Sequence, residues 1–125
     1  LLGIGEPRDL FEGVENGCDL FDCVSPTRVA RTGTLYTNNG PINIMNAKFR
    51  SDMSPVDHCQ CYTCQSGFSR AYLAHLFRSR EMLGPVLASI HNVHFIVNLM
   101  HDIRQSMIDD SFFAFKKDFL GGFYS

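Results

Sequence analysis

Leu1-Leu2-Gly3-Ile4-Gly5, then Pro7 through Val14, then Asp19-Leu20-Phe21-Asp22-Cys23-Val24 is the stretch that decides the fold. The first five residues are apolar or small and read as a buried strand. Pro7 suits a first helical turn, and Leu10, Phe11 and Val14 make a short apolar stripe. Asn16-Gly17 closes that helix. Asp19 to Val24 reads as a second strand. Strand, helix, strand at this spacing is a βαβ unit with a parallel pair, which places the chain in the α/β class. Such units gather their chemistry at the carboxyl ends of the strands. A buried parallel strand needs neighbours on both sides. None precedes Leu1, so the chain is expected to be the C-terminal part of a longer protein.

Outward from this unit, Ser25-Pro26-Thr27 is expected to end the second strand. Thr34 to Thr37 and Ile42 to Met45 flank Asn38-Asn39-Gly40-Pro41, a hairpin signal. Residues 51–68 are polar and loop-like. From Ser69 the pattern turns helical, with Tyr72, Leu73, Leu76 and Phe77 on one face. Val86, Ile90, Val93, Val97, Met100 and Met107 recur at helical spacing in a long segment beginning near Pro85. Asp110-Ser111 can cap a last helix carrying Phe112, Phe113, Phe115 and Phe119, which Gly121-Gly122 stops. No internal repeat or low-complexity tract interrupts the pattern.

The 125 residues suffice for one compact domain, and 45% hydrophobic content is ordinary for a globular chain. A formal net charge of −2 gives no global basic field, so any nucleic-acid contact must come from a local patch. The apolar runs are expected to fall short of a membrane span, and no signal peptide opens the chain. The five cysteines are an odd number, against a disulfide framework.

Three of those cysteines, Cys59, Cys61 and Cys64, form C-x-C-x2-C. A soft divalent metal is their natural occupant, and zinc is the default. A fourth ligand is needed. His91 is one candidate, with His58 and His94 as competitors. A closed four-ligand site has no open position for water, so its role would be structural.

The second constellation is the end of the second strand. On a strand Leu20, Asp22 and Val24 share a face, which puts a carboxylate on an otherwise apolar surface. That is costly unless the charge is used or paired. Asp22 can act as a nucleophile toward a sugar carbon, as in retaining glycoside chemistry. It can equally accept bonds from loop amides or pair with Arg28 or Arg31. Those two arginines follow directly, and their planar guanidinium groups suit phosphate and base edges. Lys48 and Arg50 add charge with little specificity. Cys23 reads as a small packed residue, Cys18 carries no signal, and His75 and His101 read as ordinary helix residues.

Phe21-Asp22-Cys23-Val24 followed by Pro26-Thr27-Arg28 resembles the signature of the tRNA-guanine transglycosylases, or queuine tRNA-ribosyltransferases. Gly40-Pro41-Ile42-Asn43-Ile44, the three cysteines, Ser69-Arg70-Ala71-Tyr72-Leu73 and His91-Asn92 follow in that family's order. The resemblance runs over the whole chain and covers the C-terminal part of a bacterial-type member.

The resemblance implies an irregular (β/α)8 TIM barrel with a zinc-binding subdomain. Residues 1–32 would be the last strand–helix–strand unit of the barrel. Residues 33–125 would be the hairpin, the zinc-binding subdomain and the C-terminal helices. It implies exchange of the wobble guanine of GUN-anticodon tRNAs for 7-aminomethyl-7-deazaguanine. Asp22 matches the nucleophile. Cys59, Cys61, Cys64 and His91 match the ligands of one structural Zn2+. Thr27, Arg28, Val29, Ala30 and Arg31 match an RNA-contacting segment, and Gly3, Ile4, Gly5, Glu6, Pro7, Arg8 and Asp9 a second. Leu2 stands where many members place a Met over the exchanged base. Glu6 departs from the family by replacing a basic residue seen in some members. The general acid/base and purine-recognition residues would lie upstream, so these residues alone are expected to be inactive. The partners implied are tRNA, a 7-deazaguanine base and a second copy of the chain, in the cytoplasm and away from membranes. A non-catalytic zinc module that contacts RNA or another subunit is the alternative.

Overall fold

The computed structural model describes residues 1–125. The chain forms six α-helices: α1 (Pro7–Glu15), α2 (Ser25–Arg31), α3 (Tyr62–Gln65), α4 (Arg70–Arg78), α5 (Leu83–Ile108) and α6 (Phe112–Phe123). Its sheet is a single hairpin of β1 (Thr34–Leu35) and β2 (Ile42–Asn43), and a 3-10 turn spans Ala47–Phe49. The architecture is therefore mixed and mainly helical, and these residues close no barrel.

The expected βαβ unit is present only as a trace. Leu2 and Asp22 form one isolated parallel bridge, bracketing α1. Gly3 N–H donates to the Asp22 carbonyl at 2.7 Å, and Asp22 N–H to the Leu1 carbonyl at 3.0 Å. Two things stop the ladder there. Neither segment has a second neighbour to pair with, and Gly3 leaves the extended region at φ +77°. Helix α1 starts as expected, with Pro7 in the first turn and the Asp9 carboxylate accepting from the Glu6 N–H.

Ser25, expected to end a strand, instead opens α2. The short hairpin pairs Thr34 with Asn43 and Leu35 with Ile42. It is two residues shorter on each side than expected. The reason is that Tyr36 gives its backbone groups to α5, and Thr37 turns back on Gly40 through paired bonds of 3.1 and 3.0 Å.

Helix α4 follows the expected face only in part. Ser69 caps it, and Leu73, Ala74 and Leu76 are buried while Tyr72 faces outward. Helix α5 departs from expectation more instructively. Its buried face is Leu87, Ala88, His91, Asn92, Phe95, Leu99, Ile103 and Ser106. The predicted stripe of Val86, Ile90, Val93, Val97 and Met107 is exposed, and only Met100 of that stripe packs inward. The two stripes lie side by side on a helix that is apolar nearly all round. Periodicity alone does not choose between them; the polar groups that find partners inside do.

By length and composition α5 is also apolar enough to cross a membrane, with a mean hydropathy of 1.3 over its best window, contrary to the sequence expectation. Its inward polar residues are nonetheless paired within the chain and it packs against most of the other elements, as a core helix does. Helix α6 runs through Gly121-Gly122 instead of stopping there, since Phe119 and Phe123 stack at 5.6 Å on one side.

The core falls into three connected parts. Leu35, Ile44, Phe49, Val56, Leu73 and Leu87 form the largest, between the hairpin, α4 and α5. Leu10, Phe11, Leu99 and Ile103 form a second, closed by the phenylalanines of α6. Phe11 meets the rings of Phe112, Phe115 and Phe119 at 5.5–6.0 Å. Tyr36, Phe95 and Phe123 form a third, packed against Ile96 and Phe119 beside the second.

Candidate metal centre and the Asp22 segment

Cys59 and Cys61 sit on the turn entering α3, Cys64 within it, and His91 one-third of the way along α5. Cys61 also caps α3, its sulfur accepting from the Cys64 N–H at 3.4 Å. Thr63, fully buried, donates its hydroxyl to the Leu87 carbonyl at 2.7 Å and fastens α3 one turn before the histidine.

The four ligand atoms lie within 4.8 Å of one another. His91 Nδ1 stands 3.6, 3.4 and 3.5 Å from the sulfurs of Cys59, Cys61 and Cys64. A tetrahedral zinc with ordinary Zn–S and Zn–N bonds requires N···S edges of about 3.5 Å. The donor set therefore fits the ion without rearrangement of the imidazole. His91 Nε2 is 2.7 Å from the Tyr36 carbonyl, which can only accept. That bond puts the proton on Nε2 and leaves Nδ1 as a lone pair aimed at the sulfurs. His58 and His94 are not among the four.

The electrostatics of the thiols point the same way. The neighbouring Cys61 thiol, and with it His91, hold the Cys64 thiol well below the ordinary thiol range. Cys61 is pushed up, by its bond to Cys64 and by burial, and burial also raises Cys59. Packed this closely in a partly buried site, the three thiols resist ionising together. A divalent cation is what allows all three to ionise together.

Asn92, next to His91, is buried and uses its whole amide. Its Oδ1 accepts from Tyr36 N–H at 3.0 Å, and its Nδ2 donates to the Pro26 carbonyl at 3.0 Å and the Thr34 carbonyl at 2.9 Å. The sequence reading attached no role to Asn92, Tyr36 or Thr63. The signals available for Asn92 were its place beside a ligand candidate on a helix and in the His91-Asn92 motif of the resemblance.

The Asp22 segment lies apart from this cluster. Asp22 is exposed, as are its face-mates Leu20 (82%) and Val24 (55%). The expected burial on an apolar face is thus not observed. Its carboxylate enters no hydrogen bond or ion pair, since the ion pairs of the chain are Arg70–Asp52 and Lys116–Glu15. Arg28 and Arg31 stand exposed on the last turn of α2, also unpaired. Thr27 spends its hydroxyl on the Val24 carbonyl, Val29 is half-buried, and Ala30 is fully buried.

In the other loop Leu2, Gly3, Ile4 and Arg8 are exposed, while Gly5 and Pro7 are buried. Asp9 is committed to the cap of α1. The Arg8 guanidinium lies 4.7 Å over the Tyr124 ring. Glu6 faces the Tyr36 hydroxyl at 3.5 Å. A groove of about 790 Å³ runs beside this segment, lined by Leu20, Phe21, Cys18, Val97, Met100 and Met107 among others.

A family model described as Queuine tRNA-ribosyltransferase matches residues 1–125. The chain is 52% identical over 120 residues to a queuine tRNA-ribosyltransferase of Lactococcus lactis subsp. cremoris, covering 95% of this chain and 31% of that protein. It is 51% identical over 121 residues to one of Streptococcus pyogenes, covering 96% of this chain and 32% of that protein. The chain thus spans about a third of the length of the curated relatives it matches.

Proposed function

Because the chain belongs to the queuine tRNA-ribosyltransferase family, we propose that it supplies the nucleophile and the metal-pinned C-terminal portion of a tRNA base-exchange enzyme. The observation that carries this reading is Asp22. It is a free, exposed carboxylate at the end of the parallel rung, three residues before a helix presenting two unpaired arginines. A nucleophile must be unpaired and reachable, and Asp22 is both.

The reaction is a double displacement at the ribose of the wobble guanosine in a GUN anticodon. A carboxylate oxygen of Asp22 attacks the anomeric carbon as the bond to guanine N9 breaks, and guanine leaves with that electron pair and a proton. The ribose is then esterified to Asp22. The incoming 7-aminomethyl-7-deazaguanine gives up its ring proton, bonds to the same carbon and releases the carboxylate. Two inversions retain the configuration. Arg28 and Arg31 are suited to the phosphates of the anticodon loop, within a contact segment of Thr27, Arg28, Val29, Ala30 and Arg31. Gly3, Ile4, Gly5, Glu6, Pro7, Arg8 and Asp9 form a second contact, with Leu2 against the base. Pro7, Gly5 and Ala30 would act through backbone, because their side chains are inside.

Cys59, Cys61, Cys64 and His91 would hold one zinc ion, which supplies structure and no chemistry since all four positions are protein ligands. Residues 1–32 would complete a (β/α)8 barrel whose other strands the remaining two-thirds of the relatives' length would provide. Residues 33–125 would be the subdomain built on it. The acid/base group and the purine pocket would come from that remainder, and the protein would work as a cytoplasmic homodimer. The test is Asp22→Asn in the full-length enzyme carrying this segment. The covalent enzyme–tRNA adduct that survives denaturing electrophoresis should disappear while tRNA still binds. An adduct formed by D22N would overturn the assignment.

A further inference from the structure

We propose that Asn92 is a positioning residue that sets α2, and with it Asp22 and the two arginines, on the same turn of α5 that supplies the metal ligand. The inference rests on the function proposed above for its catalytic consequence, but its structural claim stands alone.

Three observations converge on it. Asn92 is fully buried, and each hydrogen of its Nδ2 and its Oδ1 has a partner. Buried amides are expensive unless satisfied, so a fully satisfied one specifies a single arrangement of the groups around it. Next, the partners lie 56 to 66 residues from Asn92 and belong to two different elements. Pro26 is in the first turn of α2, four residues past Asp22, while Thr34 and Tyr36 belong to the hairpin arm. Finally, both backbone polar groups of Tyr36 are held by neighbouring residues of one helix. Asn92 takes its N–H and His91 donates to its C=O.

Neighbouring residues of α5 thus hold Tyr36 at its N–H and C=O, and one of them also holds the Pro26 carbonyl. Nothing else of comparable geometry fixes α2 along its axis. Its other contacts with α5 are apolar, through Pro26 and the fully buried Ala30, and apolar contacts tolerate sliding where an amide does not. A displacement of about 1 Å at a nucleophile is enough to cost a hundredfold in rate.

The experiment uses a full-length chimaera in which these residues replace the matching C-terminal part of the Lactococcus lactis relative. Two variants are compared, Asn92→Asp, which keeps the acceptor for Tyr36 and loses both donors, and Asn92→Ser, which is smaller and uncharged. Zinc content, amide hydrogen exchange, adduct formation and steady-state kinetics are measured on each. The expected result is zinc near one equivalent, with exchange at residues 28–31 at least tenfold faster and residues 73–77 of α4 unchanged. The rate of adduct formation and kcat should fall 10- to 100-fold, and KM for tRNA should rise with them, because Arg28 and Arg31 lie on the loosened helix.

Unchanged exchange in α2 overturns the proposal. So does loosening of α2 and α4 together with loss of zinc, which marks general damage. If N92D fails to fold, N92S carries the same readouts. If the unsubstituted chimaera forms no adduct with tRNA, the proposed function fails, and the exchange pattern still decides the role of Asn92.

Discussion

Replacing His91 separates the two jobs that its imidazole performs. His91→Ala removes the Nδ1 ligand and also the Nε2–H that satisfies the Tyr36 carbonyl at 2.7 Å. His91→Cys restores a fourth ligand, since a sulfur on the same Cβ reaches nearly as far as Nδ1 and a four-thiolate zinc site is a common geometry. It does not restore the bond to Tyr36. The magnitudes follow. A buried carbonyl left without a donor costs about 1–3 kcal/mol. A structural zinc contributes on the order of 10 kcal/mol of apparent folding free energy, comparable with the whole stability of a domain.

H91C should therefore purify with near one equivalent of zinc and be destabilised by about 1–3 kcal/mol, the carbonyl's share alone. H91A should hold far less zinc, lose more stability than H91C, and gain nothing from added metal. The assay is metal content by plasma mass spectrometry alongside thermal melts of the full-length protein with and without chelator. If H91A kept a full equivalent and melted like the parent, the histidine would not be a ligand. If H91C lost the metal as completely as H91A, the bond to Tyr36 would govern the site more than ligand number does.

Three further outcomes are expected. Gly40 sits at φ +108°, and a Cβ there would stand 2.7 Å from the Phe123 carbonyl oxygen, so Gly40→Ala should lower stability by roughly 2–5 kcal/mol in a chemical melt. Thr63→Val keeps shape and loses one buried bond to Leu87, so it should cost about 1 kcal/mol and leave zinc content unchanged. Burial, and then the Glu6 carboxylate, raise Tyr36 above its ordinary 10.0. The unfolded chain then loses that proton first. The contribution to stability is complete below about pH 10 and is lost as pH rises beyond it. A spectrophotometric titration should show Tyr36 silent while exposed tyrosines ionise, and Tyr36→Phe should flatten the alkaline fall in stability.

What could be read from the chain differed sharply between its parts. The starts of α1 and α4 and the hairpin turn were legible because they depend on neighbours in sequence: Pro7, the helical pattern from Ser69, and Asn38-Asn39-Gly40-Pro41. The cysteine cluster was legible because its spacing is local. The strands at either end of α1 were read as longer than they are, because strand length depends on pairing partners that a local pattern does not contain. The inward face of α5 was misjudged for a related reason. Val86, Ile90, Val93 and Val97 are as apolar as Leu87, Phe95, Leu99 and Ile103. What turns the helix is the satisfaction of His91 and Asn92 by groups 55 to 66 residues away. Which histidine joins the three cysteines was open on spacing; in the structure it is His91 whose Nδ1 lies 3.4–3.6 Å from all three sulfurs.

The bond between His91 and Tyr36 also has a consequence in time. Synthesis proceeds from the N-terminus at about 5–20 residues per second. The 27 residues that separate Cys64 from His91 then take roughly 1–5 seconds to appear. Throughout that interval three clustered thiols exist without the histidine that completes their site, and without the carbonyl contact that sets its tautomer. The nascent chain is most exposed to oxidation or to the wrong metal during that window. Strains with slowed translation or raised peroxide should therefore accumulate zinc-free protein even when zinc is plentiful.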